Sequence, residues 1–261
     1  MTENILLERD GAIARITFNN PEKRNAMSLQ MWQGLVCALD ELAQADDLRA
    51  VILCGAGGKA FVSGADISKF ETERASADAV ERYEEVTEEA QERLAGFPLP
   101  TIAQIDGWCV GGGVAIALAC DLRVCGESSR FAIPAARLGV GYGFNGVKRL
   151  VELVGPSMTR EIFFTARRLD AGEALRIGLV NRVVDDAEVA SCALELASTI
   201  AGNAPLTIRS IKTMTAEVLR DADGRDLSFC AKLVRECFAS EDYAEGRRAF
   251  LEKREPVFRG R

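Results

Sequence analysis

The chain has 261 residues, 48% of them hydrophobic, and its 39 acidic and 32 basic side chains give a formal net charge of −7. An acidic surface has no long-range attraction for phosphate backbones or anionic membranes, so we expect neither nucleic acid nor a membrane as a partner. Histidine is absent, which excludes Ser-His-Asp and Cys-His nucleophilic catalysis and histidine-ligated metal centres.

Cysteine usage and the distribution of charge indicate the compartment. The eight cysteines lie among apolar neighbours with no CxxC pair, which is typical of small buried residues in a reducing environment. The first ten residues lack a basic segment followed by an apolar one, and the charge-free run at 107–120 is shorter than the ~18 residues of a membrane span. We therefore expect a cytoplasmic protein without a signal peptide.

The first quarter of the chain alternates strand and helix patterns. Apolar stretches at 5–7 and Ile13–Phe18 flank an Asp-Gly turn and predict a β-hairpin. From Ser28, a candidate N-cap, apolar residues recur at three- to four-residue spacing and predict an amphipathic helix. A short apolar strand follows at 50–54, so the order strand, helix, strand indicates a βαβ progression.

The same alternation continues through the middle of the chain. Residues 77–94 are charge-rich and predict an exposed helix. Thr101–Ile105 predicts a buried strand, residues 114–119 a wholly apolar helix, and residues 122–125 a further strand. Beyond a glycine-punctuated loop, helices alternate with one strand at 179–184, and the last 70 or so residues are almost entirely helical.

Two glycine-rich loops do not fit nucleotide-binding fingerprints. The run with Gly139, Gly141 and Gly143 lacks the third spaced glycine of the dinucleotide motif, because Phe144 stands there. The loop at 55–59 is followed by Ala60, where a P-loop needs Ser or Thr for Mg²⁺. We therefore expect no nucleotide site at either loop.

The most informative segment is residues 102–122, in which a strand, a triple glycine and an apolar helix follow one another. The glycines Gly111, Gly112 and Gly113 place unhindered N–H groups at a helix N-terminus, where the helix dipole favours negative charge. Such a turn supplies half of an oxyanion hole. Glycines that merely allow close packing explain the spacing equally well.

Segment 102–122 resembles the signature of the crotonase superfamily, the enoyl-CoA hydratase/isomerase family. Further landmarks of that family stand in the expected order at 20–26, 61–67, 178–181 and 250–254. The resemblance implies an α/β fold, a crotonase-type spiral of ββα turns with a C-terminal helical trimerisation region. We accordingly expect a core at 1–187 that holds CoA and the active site, and an oligomerisation region at 188–261 that forms a homotrimer or a hexamer.

The resemblance also implies the site. A thioester carbonyl would be held by the backbone amides of Ala65 and Gly112. Coenzyme A, which enters as part of the acyl-CoA substrate rather than as a tightly bound cofactor, would lie along two loops, at Arg24 and Ala26 and at Ser63, Ala65, Asp66 and Ile67. For Asp66 a local helix cap is an equally good explanation. Lys59, Phe258 and Arg259 would help to close over CoA, and no metal is implied.

The two glutamates that perform hydration in this family are missing. Their positions are occupied by Ala115 and Ala135. A positioned carboxylate that moves a proton contributes about 10²–10⁴ in rate, so we do not expect an efficient hydratase. We expect an acyl-CoA lyase that stabilises a thioester enolate, with decarboxylation of a malonyl-type thioester as the leading route because loss of CO₂ itself generates the enolate.

Tyr142 is the side chain predicted to orient a substrate carboxylate or to donate a proton, with Asn145 as a weaker polar candidate. The loop around Tyr142 and the C-terminal segment are similar to bacterial methylmalonyl-CoA decarboxylases, although Ala65 replaces a histidine of a known decarboxylase. Tyr142 and Phe144 as an aromatic wall are the alternative. Two other functions stay open: an enoyl-CoA hydratase/isomerase with weak or altered activity, and an inactive CoA-thioester-binding subunit.

Overall fold

Strands and helices alternate along the chain in the computed structural model, which describes residues 3–73 and 75–261 except for the side chains of residues 70 and 71. The strands are β1 (Ile5–Asp10), β2 (Ile13–Phe18), β3 (Ala50–Gly55), β4 (Ala60–Val62), β5 (Thr101–Ile105), β6 (Trp108–Val110), β7 (Leu122–Gly126), β8 (Arg130–Ala132), β9 (Leu169–Asp170) and β10 (Arg182–Val184). The helices are α1 (Leu29–Leu42), α2 (Phe70–Glu73), α3 (Ala77–Ala95), α4 (Gly112–Ala119), α5 (Ala135–Leu138), α6 (Phe144–Thr165), α7 (Ala171–Arg176), α8 (Val189–Gly202), α9 (Pro205–Val218), α10 (Leu227–Ala239) and α11 (Glu241–Glu252).

The larger sheet has the strand order β1-β2-β3-β5-β7-β10. β1 and β2 form the predicted antiparallel hairpin, with Asp10 opposite Ile13. α1 connects β2 to β3, which run parallel, and its N-cap Ser28 accepts a hydrogen bond from the Met31 N–H. The βαβ progression is therefore confirmed.

A second, smaller sheet has the strand order β4-β6-β8-β9. The sequence did not predict this sheet. Each turn of the spiral places one strand in each sheet, so that β3 and β4, β5 and β6, and β7 and β8 are successive pairs. The corner at Gly107 shows why the sheets lie so close: its φ is +64°, and a Cβ there would lie 2.2 Å from the Lys59 carbonyl oxygen. Only glycine fits this corner. The alternation of strands between the two sheets confirms the predicted crotonase-type α/β spiral.

The hydrophobic core lies on both faces of the larger sheet. One face packs against α1, α3 and α4 around Leu35, Leu94 and Ile116. On the other face, Ile52 and Ile102 meet α8, with Val189 and Ala193 among its buried residues. The first helix of the region 188–261 thus covers the sheet, and the division of the chain at residue 187 stays a prediction.

Later in the chain the structure refines the predicted elements. The strand predicted at 179–184 is shorter, Arg182–Val184, because Gly178 with φ +79° and a turn precede it. Four of the eight cysteines are buried, whereas Cys37 is exposed. Within the described ranges, no helix is both long enough and apolar enough to cross a membrane.

Candidate active site

A cavity of about 520 Å³ opens between the two sheets' loops and helices α3 and α6. Its walls come from the loop after β4, the N-terminus of α4, and α1, α3, α5 and α6. Ala65 and Gly112, the two predicted backbone donors, both line it. The structure therefore brings together residues that lie almost 50 positions apart in the sequence.

The amide of Ala65 is kept free by the way its neighbours pair. Met27 donates its N–H to the Gly64 carbonyl over 2.8 Å and accepts a hydrogen bond from the Asp66 N–H over 2.8 Å. This parallel bridge between Met27 and Ala65 uses the groups on either side of Ala65. In the described part of the chain, the Ala65 N–H itself donates to no backbone carbonyl.

The amide of Gly112 is free for a different reason. Gly112 is the first residue of α4, and the first N–H groups of a helix have no intrahelical acceptor. Gly111, at φ +52°, donates its own N–H to the Ala132 carbonyl over 2.8 Å and so fixes the turn. The helix dipole adds partial positive charge at this end.

The glycines of this turn differ in what a side chain would meet. A Cβ at Gly113 would lie 2.2 Å from the Val62 carbonyl oxygen, so Gly113 is required for close packing of α4 on β4. A Cβ at Gly112 would meet only the Trp32 ring, at 3.2 Å. Trp32 in turn donates from Nε1 to the Tyr83 hydroxyl over 3.3 Å. Both aromatic residues line the cavity and were missed from the sequence.

Neither family glutamate position carries a carboxylate, and both face the cavity. Ala115 on α4 and Ala135 at the start of α5 are buried and line it. The carboxylates that do line the cavity are Glu84 and Glu88 on α3, whose side chains are exposed at its rim. Sequence reasoning missed both, because a charged face of an exposed helix looks the same whether or not it borders a cavity.

The hydroxyl of Tyr142 is buried in this cavity without a hydrogen-bond partner among the described residues. Burial raises the pKa of Tyr142 to about 12, so the phenol is protonated at neutral pH. Its ring packs edge-to-face on Phe163 at 4.8 Å between centroids. The prediction that Phe144 forms an aromatic wall of the cavity with Tyr142 is wrong, because Phe144 is 79% exposed and is not among the residues that line the cavity.

Three of the predicted CoA residues, Ser63, Ala65 and Ile67, line the cavity. Asp66 does not: it is buried, and its carboxylate binds Lys23 Nζ at 2.7 Å and the Ser68 N–H at 3.2 Å. Burial opposes ionisation of Asp66, but the hydrogen bonds from Lys23 and Ser68 outweigh it and hold the pKa of Asp66 below its usual value. These bonds support the interpretation of Asp66 as a local cap.

Arg24 and Ala26 lie in the loop beside the cavity, with Arg24 exposed and Ala26 buried. Between them Asn25 is fully buried and donates from Nδ2 to the carbonyls of Ala56 and Ala60, over 2.9 and 2.8 Å. Asn25 thus ties this loop to the start of β4. Its part in the site was missed from the sequence.

The candidates for closing over CoA, Lys59, Phe258 and Arg259, are not among the residues that line the cavity. A Cβ at Gly246 on α11 would lie 3.5 Å from the Phe258 ring, and the Arg259 N–H donates to Asp242 over 2.7 Å. Their contact with CoA, and that of Lys59, stays a prediction. No group of three or more Cys, Asp or Glu side chains within the described ranges is arranged to hold a metal ion.

Comparison with known proteins decides the family. The family model described as enoyl-CoA hydratase/isomerase matches residues 8–261. The chain belongs to the enoyl-CoA hydratase/isomerase family. Enzymes of this family act on CoA thioesters.

Individual relatives of this family member are similar over almost their whole length. It is 36% identical to a short-chain-enoyl-CoA hydratase of Clostridium acetobutylicum, covering 96% of this chain and 95% of that one. It is 37% identical to a carnitinyl-CoA dehydratase of Salmonella paratyphi A, covering 100% of both chains. A solved enoyl-CoA hydratase/carnithine racemase from Magnetospirillum magneticum superposes with a TM-score of 0.93 at 37% identity, covering 100% of this chain and 97% of that one.

The names of these relatives describe hydratases, a dehydratase and a racemase. They support the enoyl-CoA hydratase/isomerase family as a class of enzyme, and they give no support to decarboxylation.

Proposed function

We propose that this chain is an acyl-CoA lyase that stabilises a thioester enolate between the N–H groups of Ala65 and Gly112 and forms that enolate by decarboxylating a malonyl-type thioester. One observation carries the proposal: the cavity combines two free backbone donors with alanine at both glutamate positions, Ala115 and Ala135. Such a site can stabilise negative charge on a thioester oxygen but has no carboxylate at these positions to activate water.

The chemistry balances without a base. The bond between the α-carbon and the substrate carboxylate breaks, CO₂ leaves, and the electron pair passes through the α-carbon to the thioester oxygen. Ala65 and Gly112 would then donate two hydrogen bonds to the resulting oxyanion. A proton delivered to the α-carbon completes the reaction, and the protonated phenol of Tyr142 is the side chain proposed to orient the substrate or to supply that proton.

Incubation of the purified protein with methylmalonyl-CoA and with crotonyl-CoA tests this proposal. We expect CO₂ release from methylmalonyl-CoA and negligible hydration of crotonyl-CoA. Brisk hydration without decarboxylation would reject the proposal and establish the hydratase instead.

An enoyl-CoA hydratase/isomerase of altered mechanism is the second candidate, because Glu84 and Glu88 line the cavity and the similar proteins carry hydratase names. Hydration that disappears in Glu84→Gln or Glu88→Gln would favour it. A third function, a CoA-thioester-binding subunit without catalysis, follows from the missing glutamates. Thioester binding without turnover across a broad acyl-CoA panel would favour this one.

Replacing Tyr142 with phenylalanine is expected to separate stability from activity. The change removes a buried hydroxyl that has no acceptor among the described side chains, so the free energy of unfolding should stay equal or rise by about 1 kcal/mol. Loss of one hydrogen bond to the substrate should lower kcat/KM for methylmalonyl-CoA about tenfold. Thermal unfolding and initial rates measure the two effects, and unchanged kcat/KM would leave Tyr142 as an aromatic wall only.

We also propose assembly into a homotrimer or a hexamer. On α10, Leu233 is buried, whereas Leu227 and Phe238 are 69% and 63% exposed, and on α11 Phe250 is 84% exposed. Apolar residues so exposed on adjacent helices are typical of a surface covered by another subunit. Light scattering should give a mass that is a multiple of three chains; a species of 28.3 kDa that persists as concentration rises would contradict this.

A further inference from the structure

Arg149 on α6 is an unassigned cation in the wall of the cavity. The residue is half-buried, yet its guanidinium forms neither a hydrogen bond nor an ion pair with any side chain in the described ranges. Burial lowers the pKa of Arg149, and Glu92, Glu88 and Glu152 oppose that shift through their charges. Three carboxylates therefore lie near enough to stabilise the charge of Arg149, but none of them forms an ion pair with it.

Those carboxylates have other partners. Asn145, one turn before Arg149 on α6, donates from Nδ2 to Glu88 over 2.7 Å and to Glu92 over 2.9 Å. Glu152 lies 3.8 Å from Lys148 Nζ. Arg149 is therefore left with donor capacity on the cavity side.

A second unsatisfied donor lies in the same cavity. The Tyr142 hydroxyl has no acceptor in the part of the chain that the structure describes, and the positive charge of Arg149 partly offsets the rise in the pKa of Tyr142 that burial causes. Buried donors without acceptors are costly and are found paired in the great majority of native structures. A bound alkyl chain would leave both donors unpaired, whereas an oxygen anion would accept from both.

We infer that Arg149 and Tyr142 form an acyl subsite that selects CoA thioesters with a carboxylate on the acyl group, with Arg149 as the specificity-determining residue. A guanidinium binds a carboxylate through two parallel N–H···O bonds, which gives geometric selectivity as well as affinity. The inference rests on the proposed function, since the carboxylate that is selected is the group that leaves as CO₂.

The kind of effect follows from the charge change in the reaction. The substrate carboxylate loses its negative charge as CO₂ departs, so an ion pair to Arg149 is stronger in the reactant complex than in the transition state. An interaction of this kind lowers KM without raising kcat. Arg149 is thus a capture residue, and its loss should appear in KM.

Methylmalonyl-CoA and isobutyryl-CoA test the inference, because they differ only in a carboxylate that replaces a methyl group. Dissociation constants are measured by stopped-flow competition against a fluorescent acyl-CoA, before turnover. We expect the wild type to bind methylmalonyl-CoA more tightly, and Arg149→Gln to weaken that binding about tenfold or more while leaving isobutyryl-CoA unchanged. Arg149→Lys should retain part of the preference, and thermal unfolding checks the fold of each variant.

Arg160→Gln is the matched control, since it removes an exposed guanidinium from the same helix, α6, outside the cavity lining. It should change neither dissociation constant. Equal affinity of the wild type for both thioesters, or an equal loss of both in Arg149→Gln, would overturn the subsite. Selective binding of methylmalonyl-CoA without CO₂ release would uphold the subsite and reject the proposed decarboxylation. CO₂ release with an unchanged KM in Arg149→Gln would uphold the decarboxylation and reject the subsite.

Discussion

Replacing Gly112 with proline should reduce turnover of the preferred thioester by about 10²–10³, the usual cost of losing one oxyanion donor. Proline has no N–H, so only the Ala65 amide would remain to stabilise the enolate oxygen. Proline at the first position of a helix is otherwise well tolerated, and Gly112 holds this position in α4. The measured quantities are kcat for the thioester and the dissociation constant of free CoA, which has no thioester carbonyl for these amides to bind.

Gly112→Ala separates the amide from the side chain. Both substitutions add a Cβ that approaches the Trp32 ring at 3.2 Å, but alanine keeps the N–H. We expect Gly112→Ala to keep most of the activity and Gly112→Pro to lose it, with free CoA bound equally by both. A folded Gly112→Pro protein with wild-type kcat would reject the oxyanion assignment.

The elements that sequence predicted well are those whose signal is local. The hairpin of β1 and β2, and α1 with its N-cap Ser28, follow from alternation, spacing and capping that a few neighbouring residues define. The strands β4, β6, β8 and β9 have only two or three residues each. Such strands are too short for a period to show, and they are stabilised by pairing with residues far away in the sequence. The second sheet was therefore missed.

The error over Phe144 has a similar origin. Tyr142 packs on Phe163, with 4.8 Å between ring centroids, although a straight helix across the roughly 20 residues between them would be about 30 Å long. The two rings meet because Gly155, at φ +78°, breaks α6. The following Pro156 marks this break in the sequence, but the direction of the second half is set by packing.

In the candidate site, too, the residues with a local sequence signal were predicted and those placed by tertiary packing were not. Ala65 and Gly112 were predicted from loops that carry a recognisable motif, and both line the cavity; their role as donors stays a prediction. Trp32, Glu88 and Arg149 reach the cavity from three different helices, and only tertiary packing decides which side of each helix faces it. These helical residues of the cavity wall are therefore the part that the sequence did not predict.

Introducing glutamate at both Ala115 and Ala135 is expected to create hydratase activity. Both positions line the cavity, so the new carboxylates would project towards the thioester that Ala65 and Gly112 hold. A pair of positioned carboxylates can deprotonate water and return a proton, which is worth about 10²–10⁴ in rate. Burial raises the pKa of such carboxyl groups, which favours the protonated form that one of the two requires. Initial rates with crotonyl-CoA measure the gain.

The matched control is the protein with Ala115→Gln and Ala135→Gln, which fills the same volume and transfers no proton. It should not hydrate crotonyl-CoA, so any difference from the glutamate protein reports acid–base chemistry and not pocket shape. The glutamate protein should also turn over methylmalonyl-CoA more slowly, because two new negative charges repel the carboxylate that Arg149 is proposed to bind. Equal hydration by the glutamine and glutamate proteins would mean that another group, with Glu84 and Glu88 as the first candidates, already supplies the base.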